Sequence, residues 1–179
     1  MRNVSPASRT LRCTALLASV LLCITLFGSG LQAEKNTLTV DITSFLGDDQ
    51  QFANDDQLQF LISVNEPAWL YLYYKNADGK IYQLIPSVLY PENHVQSGDF
   101  IPFPAADAPF HLAVSAPYGS EQVWLLATKT ALPEHDWQEE DLQELPFPSL
   151  DALQTALKKS TRGRALAHDS LVFSTVPSM

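Results

Sequence analysis

The amino-acid sequence predicts a mainly β fold, an antiparallel β-sandwich of about seven or eight strands with one short C-terminal helix. Three observations support this prediction. The run from Ala68 to Pro86 contains an aromatic-rich strand, an Asp-Gly turn and a second strand that ends at a proline. Other short segments alternate apolar and polar residues and are separated by glycine or proline turns. The segment after Ser149, in contrast, has apolar residues at helical spacing.

The first strands are predicted from alternation. Leu38 to Ile42 alternates apolar and polar side chains, and so does Leu58 to Val64, whose apolar positions share one face. Gly47 to Asp56, between them, is predicted to be a polar loop. Asn65-Glu66-Pro67 then turns the chain into the hairpin. There Asp78-Gly79 is predicted to form a tight turn with Gly79 at positive φ.

Beyond the hairpin, Pro86 to Gly98 is predicted to be a loop. Phe100 to Pro104 is predicted to be a short edge strand, because each of its prolines removes a ladder donor. Two further strands, Phe110 to Val114 and Val123 to Ala127, place alternate apolar residues on one face. Pro117 to Ser120 forms the turn between them.

One helix and one strand are predicted near the C-terminus. Ser149 is a suitable N-cap, and Lys158 and Lys159 end the helix favourably for its dipole. We expect this helix to cover an open end or edge of the sheet. Ser170 to Val176 alternates as a final strand. The apolar face of the helix is formed by Leu150, Leu153 and Leu157.

The first 33 residues have the composition of a secretory signal peptide. Arg2, Arg9 and Arg12 form a basic segment, and a mainly apolar stretch of 14 residues, Thr14 to Phe27, follows it. This stretch is shorter than the roughly 20 residues that span a bilayer. We therefore predict a signal peptide over 1–33, cleavage after Ala33, and a single β-rich domain over 34–179 that is periplasmic or secreted.

There are two alternatives to cleavage. A retained transmembrane anchor is favoured by Leu31, which is bulky for its place before the cleavage site. A lipoprotein is disfavoured, because Leu22 is bulky beside Cys23 and Cys13 lies in the basic segment. With cleavage after Ala33, we expect no stable membrane span in the mature protein.

Cleavage changes the charge and the cysteine content. The whole sequence has a formal net charge of −9. Removal of three arginines leaves 8 basic and 20 acidic residues among 146, a net charge of −12, and both cysteines are lost. So acidic a chain is not attracted to nucleic acid or anionic lipid. Without cysteine, its core must hold the fold without disulfides.

Between Leu58 and Leu132 the sequence contains a series of short pieces in a recognisable order and spacing. In order, they are Leu58 to Val64, Ala68 to Tyr74, Asn76 to Lys80, Gln83 to Pro86, Gln96 to Asp99, Ile101-Pro102, Ala116 to Glu121 and Leu125 to Thr128. Through these pieces the segment resembles the bacterial family called domain of unknown function 4384. After the second hairpin strand that family typically has Phe-Pro-Asn, where this chain has Ile85-Pro86-Ser87.

The resemblance implies a β-rich module of exported bacterial proteins. Such modules are also found attached to kinases and proteases that supply the catalysis themselves. The family has no catalytic residue to transfer to this sequence. The resemblance therefore implies an accessory or binding role, by association.

The aromatic hairpin supplies the first candidate binding residues. Alternation puts Trp69, Tyr71 and Tyr73 on one side of its first strand and Leu70, Leu72 and Tyr74 on the other. Either side is suitable as core. An exposed aromatic strip for a peptide or glycan is the alternative, because tyrosine combines an apolar ring with a hydroxyl. Tyr73 and Tyr82 are the two candidates for exposed contacts.

A basic cluster supplies the second set of candidates. Lys158, Lys159, Arg162 and Arg164 lie at and after the predicted helix C-terminus, within an otherwise acidic chain. Favourable interaction with the helix dipole explains the lysines. The alternative is a docking patch for an acidic partner.

No metal, cofactor or catalytic residue is predicted. The acidic loop lacks the alternating pattern of an EF-hand calcium site. No second histidine stands at i+4 from His135, and no Gly-x-Ser-x-Gly motif is present. His111 is predicted to face outward. The loop side chains considered for calcium are Asp48, Asp49, Asn54, Asp55 and Asp56.

The sequence therefore predicts an exported, non-catalytic accessory module that binds an unidentified protein or cell-envelope component. One alternative is a subunit of an envelope assembly, such as a secretion or motility apparatus. Another is a periplasmic hydrolase with a site near His94 or His135.

Overall fold

The computed structural model describes residues 37–45, 47, 51–98, 100–132, 142, 144–161 and 166–178. The predicted signal peptide, its cleavage site and Arg162 and Arg164 lie outside the described residues. So do His135, Asp48 and Asp49.

Twelve strands and one helix form within the described residues. Eight of the strands have three or more residues, in agreement with the predicted number, and the other four are two-residue pairings. No helix of the described part has the length and apolar composition needed to cross a membrane. The elements are β1 (Val40–Ser44), β2 (Gln51–Ala53), β3 (Gln57–Leu58), β4 (Phe60–Val64), β5 (Ala68–Lys75), β6 (Ile81–Ile85), β7 (His94–Val95), β8 (Ile101–Phe103), β9 (Leu112–Ala113), β10 (Ser120–Thr128), β11 (Glu144–Leu145), α1 (Leu150–Ser160) and β12 (Leu166–Val176).

The strands form two sheets and a short ribbon. The small sheet has the order β1-β4-β8, and the large sheet has the order β11-β6-β5-β10-β12-β2, with β7 also paired to β5. Strands β3 and β9 form the ribbon. Among the described pairings only that of β2 with β12 is parallel. The predicted mainly β, sandwich-like fold with one short helix near the C-terminus is confirmed.

The large sheet is apolar on both faces, because successive side chains of a strand point to opposite sides. On β5, Leu70 and Leu72 join the core shared with the small sheet. Tyr71 and Tyr73 point the other way and join a second core with α1. Strand β10 divides in the same manner. Its side chains Val123 and Leu125 lie in the first core, and Trp124 and Leu126 lie in the second.

Helix α1 covers this second face of the large sheet. The Ser149 hydroxyl accepts a hydrogen bond from the Ala152 N–H at 3.2 Å, which confirms the predicted N-cap. Leu150 and Leu153 are buried against the tyrosines of β5. The expectation that the helix covers an open end or edge is therefore wrong. A sheet with apolar side chains on both faces needs cover on both, and the small sheet supplies it on one side only.

Several short strands were missed or shortened in the prediction. Strand β2 lies inside the predicted polar loop, where Phe52 is its one buried side chain. Strand β7 lies inside the predicted loop Pro86 to Gly98. The strand expected over Phe110 to Val114 is reduced to β9. Segments this short contain too few residues for alternation to identify them.

Both edges of the small sheet are protected. At the β1 edge, the Ile42 N–H donates to Asp169 Oδ2 of β12 at 2.9 Å instead of to a neighbouring strand. At the other edge lies β8, which contains Pro102, as predicted for an edge strand. The Asp169 side chain occupies a backbone N–H at one edge, and the proline lacks one at the other. Few backbone N–H groups therefore remain at either edge to pair with a further strand.

The β5–β6 hairpin closes with the predicted turn. The Gly79 N–H donates to the Asn76 carbonyl at 2.9 Å, and the Lys80 N–H donates to Asn76 Oδ1 at 2.9 Å. Gly79 has a φ of +85°, which confirms the predicted positive φ. This region is accessible to glycine without the steric penalty of a Cβ.

We expect Gly79→Val to lower the free energy of unfolding by roughly 1–3 kcal/mol. A Cβ at this position meets nothing within 4 Å, so the loss comes from backbone strain alone. Urea denaturation measures it. Gly79→Asn is the matched control, since asparagine tolerates this conformation better than other side chains. A valine variant as stable as the asparagine variant would show that the turn relaxes to a negative φ.

Candidate functional site

A cleft of about 540 Å³ opens between the turn end of the hairpin and the β3–β9 ribbon. We call it the hairpin cleft. It exists because Tyr74, Tyr82 and Leu84 extend from the large sheet toward the ribbon and the loop after it. The hairpin turn contributes Asn76, Asp78 and Lys80 to the lining. The opposite side is lined by residues in and around β9, and Leu142 also lines the cleft. The residues in and around β9 include His111, Ala113, Ser115 and Pro117.

Two tyrosines on neighbouring strands form one wall of the cleft. Tyr74 of β5 is the direct cross-strand partner of Tyr82 of β6. Their rings stack with centroids 6.3 Å apart and an interplanar angle of 27°. Both side chains are half-buried. Such a pair offers apolar ring surface together with hydroxyl groups, a combination that is common in binding sites.

A buried carboxylate holds Tyr74 in place. Glu121 is 3% exposed, and its Oε2 accepts a hydrogen bond of 2.6 Å from the Tyr74 hydroxyl. The other oxygen, Oε1, accepts one of 3.0 Å from the Thr175 hydroxyl. Burial, followed by the hydrogen bond to Glu121, raises the pKa of Tyr74 well above its ordinary value. Tyr74 therefore remains a protonated donor at neutral pH.

An ion pair lies beside the hairpin turn. Lys80 Nζ is 3.0 Å from Glu144 Oε2, and both side chains are half-exposed. The pairing of β6 with β11 brings these residues together. The pKa of Lys80 is raised, chiefly by the hydrogen bond to Glu144. Because the pair is exposed to solvent, its contribution to stability is small.

Tyr73, predicted as an exposed contact, is a core residue. It is 3% exposed and stacks on Trp124 with ring centroids 5.4 Å apart. Burial raises its pKa well above the ordinary value for tyrosine. The expected exposure is wrong, because α1 covers the face of β5 on which Tyr73 lies. Of the two candidate tyrosines, Tyr82 alone lines the hairpin cleft.

Of the four basic candidates, the structure describes Lys158 and Lys159. Lys158 and Lys159 are exposed in the last turn of α1, as predicted. Their placement is explained by the dipole of the helix. Arg162 and Arg164 fall outside the described residues, so the docking patch stays a prediction.

The acidic loop uses its side chains locally. Asp56 Oδ2 accepts a hydrogen bond from the Ala53 N–H at 2.7 Å, and Asn54 Oδ1 accepts one from the Tyr118 hydroxyl at 2.8 Å. Asn54 Nδ2 donates to Asp55 Oδ2 at 2.8 Å. Over the described ranges, no three histidine, cysteine or acidic side chains lie in an arrangement suited to a metal ion.

The described histidines occupy separate places. His111 is exposed and borders the hairpin cleft, which confirms its predicted outward orientation. His94 is exposed, and its ring centroid lies 4.9 Å from that of Trp69. His168 is exposed on β12, with its ring 6.2 Å from Trp124.

A second cleft of about 430 Å³ adjoins the first. Leu58 and His111 line both. Its walls include Phe45, Phe52 and Phe110. Aromatic side chains therefore line this adjoining cleft as well.

Glu121 is the site residue that sequence reasoning missed. The residues two and four positions after it, Val123 and Leu125, point into the first core, and alternation places Glu121 on the same face. An acidic residue on the apolar face of a buried strand is unusual, since buried carboxylates require partners. The acidic residue on this apolar face was the feature of the sequence that could have identified Glu121.

The comparisons with known proteins agree with the resemblance drawn from the sequence. Residues 51–131 match the family model of a domain of unknown function, DUF4384. The matched segment runs from β2 past the end of β10, so it includes Tyr74, Tyr82 and Glu121 but not α1 or β12. No curated protein and no solved structure matches the chain.

Proposed function

We propose that the chain is an exported, non-catalytic accessory module that binds a protein or a cell-envelope component through the hairpin cleft. The basic segment and the short apolar stretch that precede Ala33 support export to the periplasm or beyond. The observation that supports binding most strongly is the pair of half-buried tyrosines in the wall of the cleft.

The geometry favours binding because the wall is held rigid before a partner arrives. Tyr74 is fixed by Glu121, and Tyr82 stacks on Tyr74. The strands beneath them pair along β5 and β6. A side chain that is ordered in the free protein loses little entropy on binding. Aromatic residues with this arrangement are the common anchors of protein interfaces.

The match to DUF4384 supports an accessory role by association. The sequence features of that resemblance include no catalytic residue, and the hairpin cleft lies mostly in the matched segment. The module therefore supplies contacts, and any chemistry belongs to its partner.

We expect Tyr82→Ala to weaken partner capture by on the order of 2 kcal/mol, about thirtyfold in affinity. Tyr82→Phe keeps the ring and should retain most of the capture. The test is affinity purification from an envelope extract with the mature protein as bait, followed by titration of the captured partner.

Two controls accompany this prediction. Phe100 is 73% exposed and is not among the residues that line the cleft, so Phe100→Ala should leave capture unchanged. The free energy of unfolding of Tyr82→Ala should change by less than about 1 kcal/mol. If Tyr82→Ala binds the partner as tightly as the unchanged protein, the hairpin cleft is not the binding site.

A further inference from the structure

We infer that the hairpin cleft binds a cationic side chain, preferably arginine, presented by a segment of a basic partner protein. This inference rests on the proposed function and specifies the chemistry of its ligand. It draws on three features: the charged side chains around the cleft, the negatively polarised faces of the two tyrosine rings, and the buried carboxyl group of Glu121 behind them.

The charges around the cleft are mainly negative. Asp78 is an exposed lining residue, and Glu121 lies behind Tyr74. Lys80 is the cation in the lining, and Glu144 pairs with it. An anionic ligand meets repulsion at such a site, whereas a cation meets attraction.

The aromatic wall is suited to a cation as well. The face of a tyrosine ring carries negative charge density and attracts ammonium or guanidinium groups. The Tyr74 hydroxyl donates to a carboxylate, which increases the electron density of its ring. Tyr82 adds a second ring stacked on the first. A planar guanidinium can stack on such a face, so arginine is favoured over lysine.

Glu121 adds an acidic side chain behind this aromatic wall. Within the described part of the chain, its hydrogen-bond partners are the neutral hydroxyls of Tyr74 and Thr175. At 3% exposure the carboxylate is screened little by solvent. A cation that stacks on Tyr74 therefore lies on a ring whose hydroxyl is hydrogen-bonded to this carboxyl group.

The test uses a five-residue probe peptide, Ala-Ala-Arg-Ala-Ala, acetylated and amidated at its ends. Its matched control contains citrulline, the neutral isostere of arginine. Nuclear magnetic resonance titration of the mature protein measures both affinities and the residues that respond. We expect the arginine peptide to bind about tenfold more tightly than the citrulline peptide. The largest shifts should occur at Tyr74 and Tyr82.

Three variants refine the test. Tyr82→Leu keeps an apolar side chain but removes the ring, and Asp78→Asn removes one negative charge. Each should weaken the arginine peptide severalfold and leave the citrulline peptide nearly unaffected. Phe100→Leu, an exposed aromatic position outside the lining residues, should change neither affinity.

Equal affinities for the two peptides, shifts confined to other surfaces, or no detectable binding of the arginine peptide would each overturn the inference. Equal affinities that both depend on Tyr82 would indicate a neutral ligand, such as a glycan. Failure of this inference is distinct from failure of the proposed function. Partner capture that still depends on Tyr82 would preserve the binding role, whereas capture independent of Tyr82 would remove both.

Discussion

We expect Tyr73→Ala to lower the free energy of unfolding by about 3–5 kcal/mol, by analogy with other large aromatic truncations in cores. The side chain is 3% exposed and stacks on Trp124 between the large sheet and α1. Alanine would leave a cavity there and remove the ring contact. Urea or thermal denaturation, followed by circular dichroism, measures the loss.

Two control variants show whether the loss comes from the buried ring of Tyr73. Tyr73→Phe keeps the ring and should lose much less stability. Tyr82→Ala removes a tyrosine from the neighbouring strand of the same hairpin but on its cleft side, and we expect only a small loss. Equal losses for Tyr73→Ala and Tyr82→Ala would show that α1 does not cover the second face of β5 in solution.

The second large effect concerns the buried carboxylate. We expect Glu121→Leu to lower the free energy of unfolding by about 2–3 kcal/mol, because two hydroxyl donors lose their acceptor. The donors are Tyr74 at 2.6 Å and Thr175 at 3.0 Å. Leucine approximates the volume of the side chain, so packing changes little.

A double-mutant cycle separates this effect from general damage to the core. Tyr74→Phe removes one of the orphaned donors, so adding it to Glu121→Leu should recover part of the stability. Glu144→Gln, at an exposed ion pair, should leave the free energy of unfolding almost unchanged. Strictly additive losses from Tyr74→Phe and Glu121→Leu would show that the two side chains are not coupled.

Sequence reasoning predicted the local structure of the hairpin well, because its causes are local. The turn at Asp78-Gly79 follows from the backbone freedom of glycine. The N-cap at Ser149 follows from its hydroxyl. The division of β5 into two faces follows from strand geometry alone.

The placement of α1 was not predictable in the same way. Alternation shows that both faces of β5 are apolar, but it does not show which element covers each face. The helix packs on residues more than 70 positions earlier in the chain, such as Tyr73. The same uncertainty led to the wrong expectation that Tyr73 is exposed, since exposure depends on that packing.

The candidate site was predicted in part. Tyr82 was identified because tyrosines crowd one hairpin, and it does line the cleft. The cleft itself forms between segments distant in sequence, the hairpin turn and the loop that contains Pro117. Glu121 contacts Thr175 across 54 positions. The periodicity of apolar residues describes single strands and helices, so it cannot predict contacts between residues this far apart in the sequence.

The central claim is that a partner occupies the hairpin cleft, and photo-crosslinking tests it most directly. The photoreactive phenylalanine analogue p-benzoylphenylalanine replaces Tyr82 in one variant and Phe100 or Val172, both more than half exposed, in two others. After irradiation in the cell envelope, we expect a partner adduct from position 82 and none from 100 or 172. An adduct from position 100 or 172 with none from position 82 would contradict the claim.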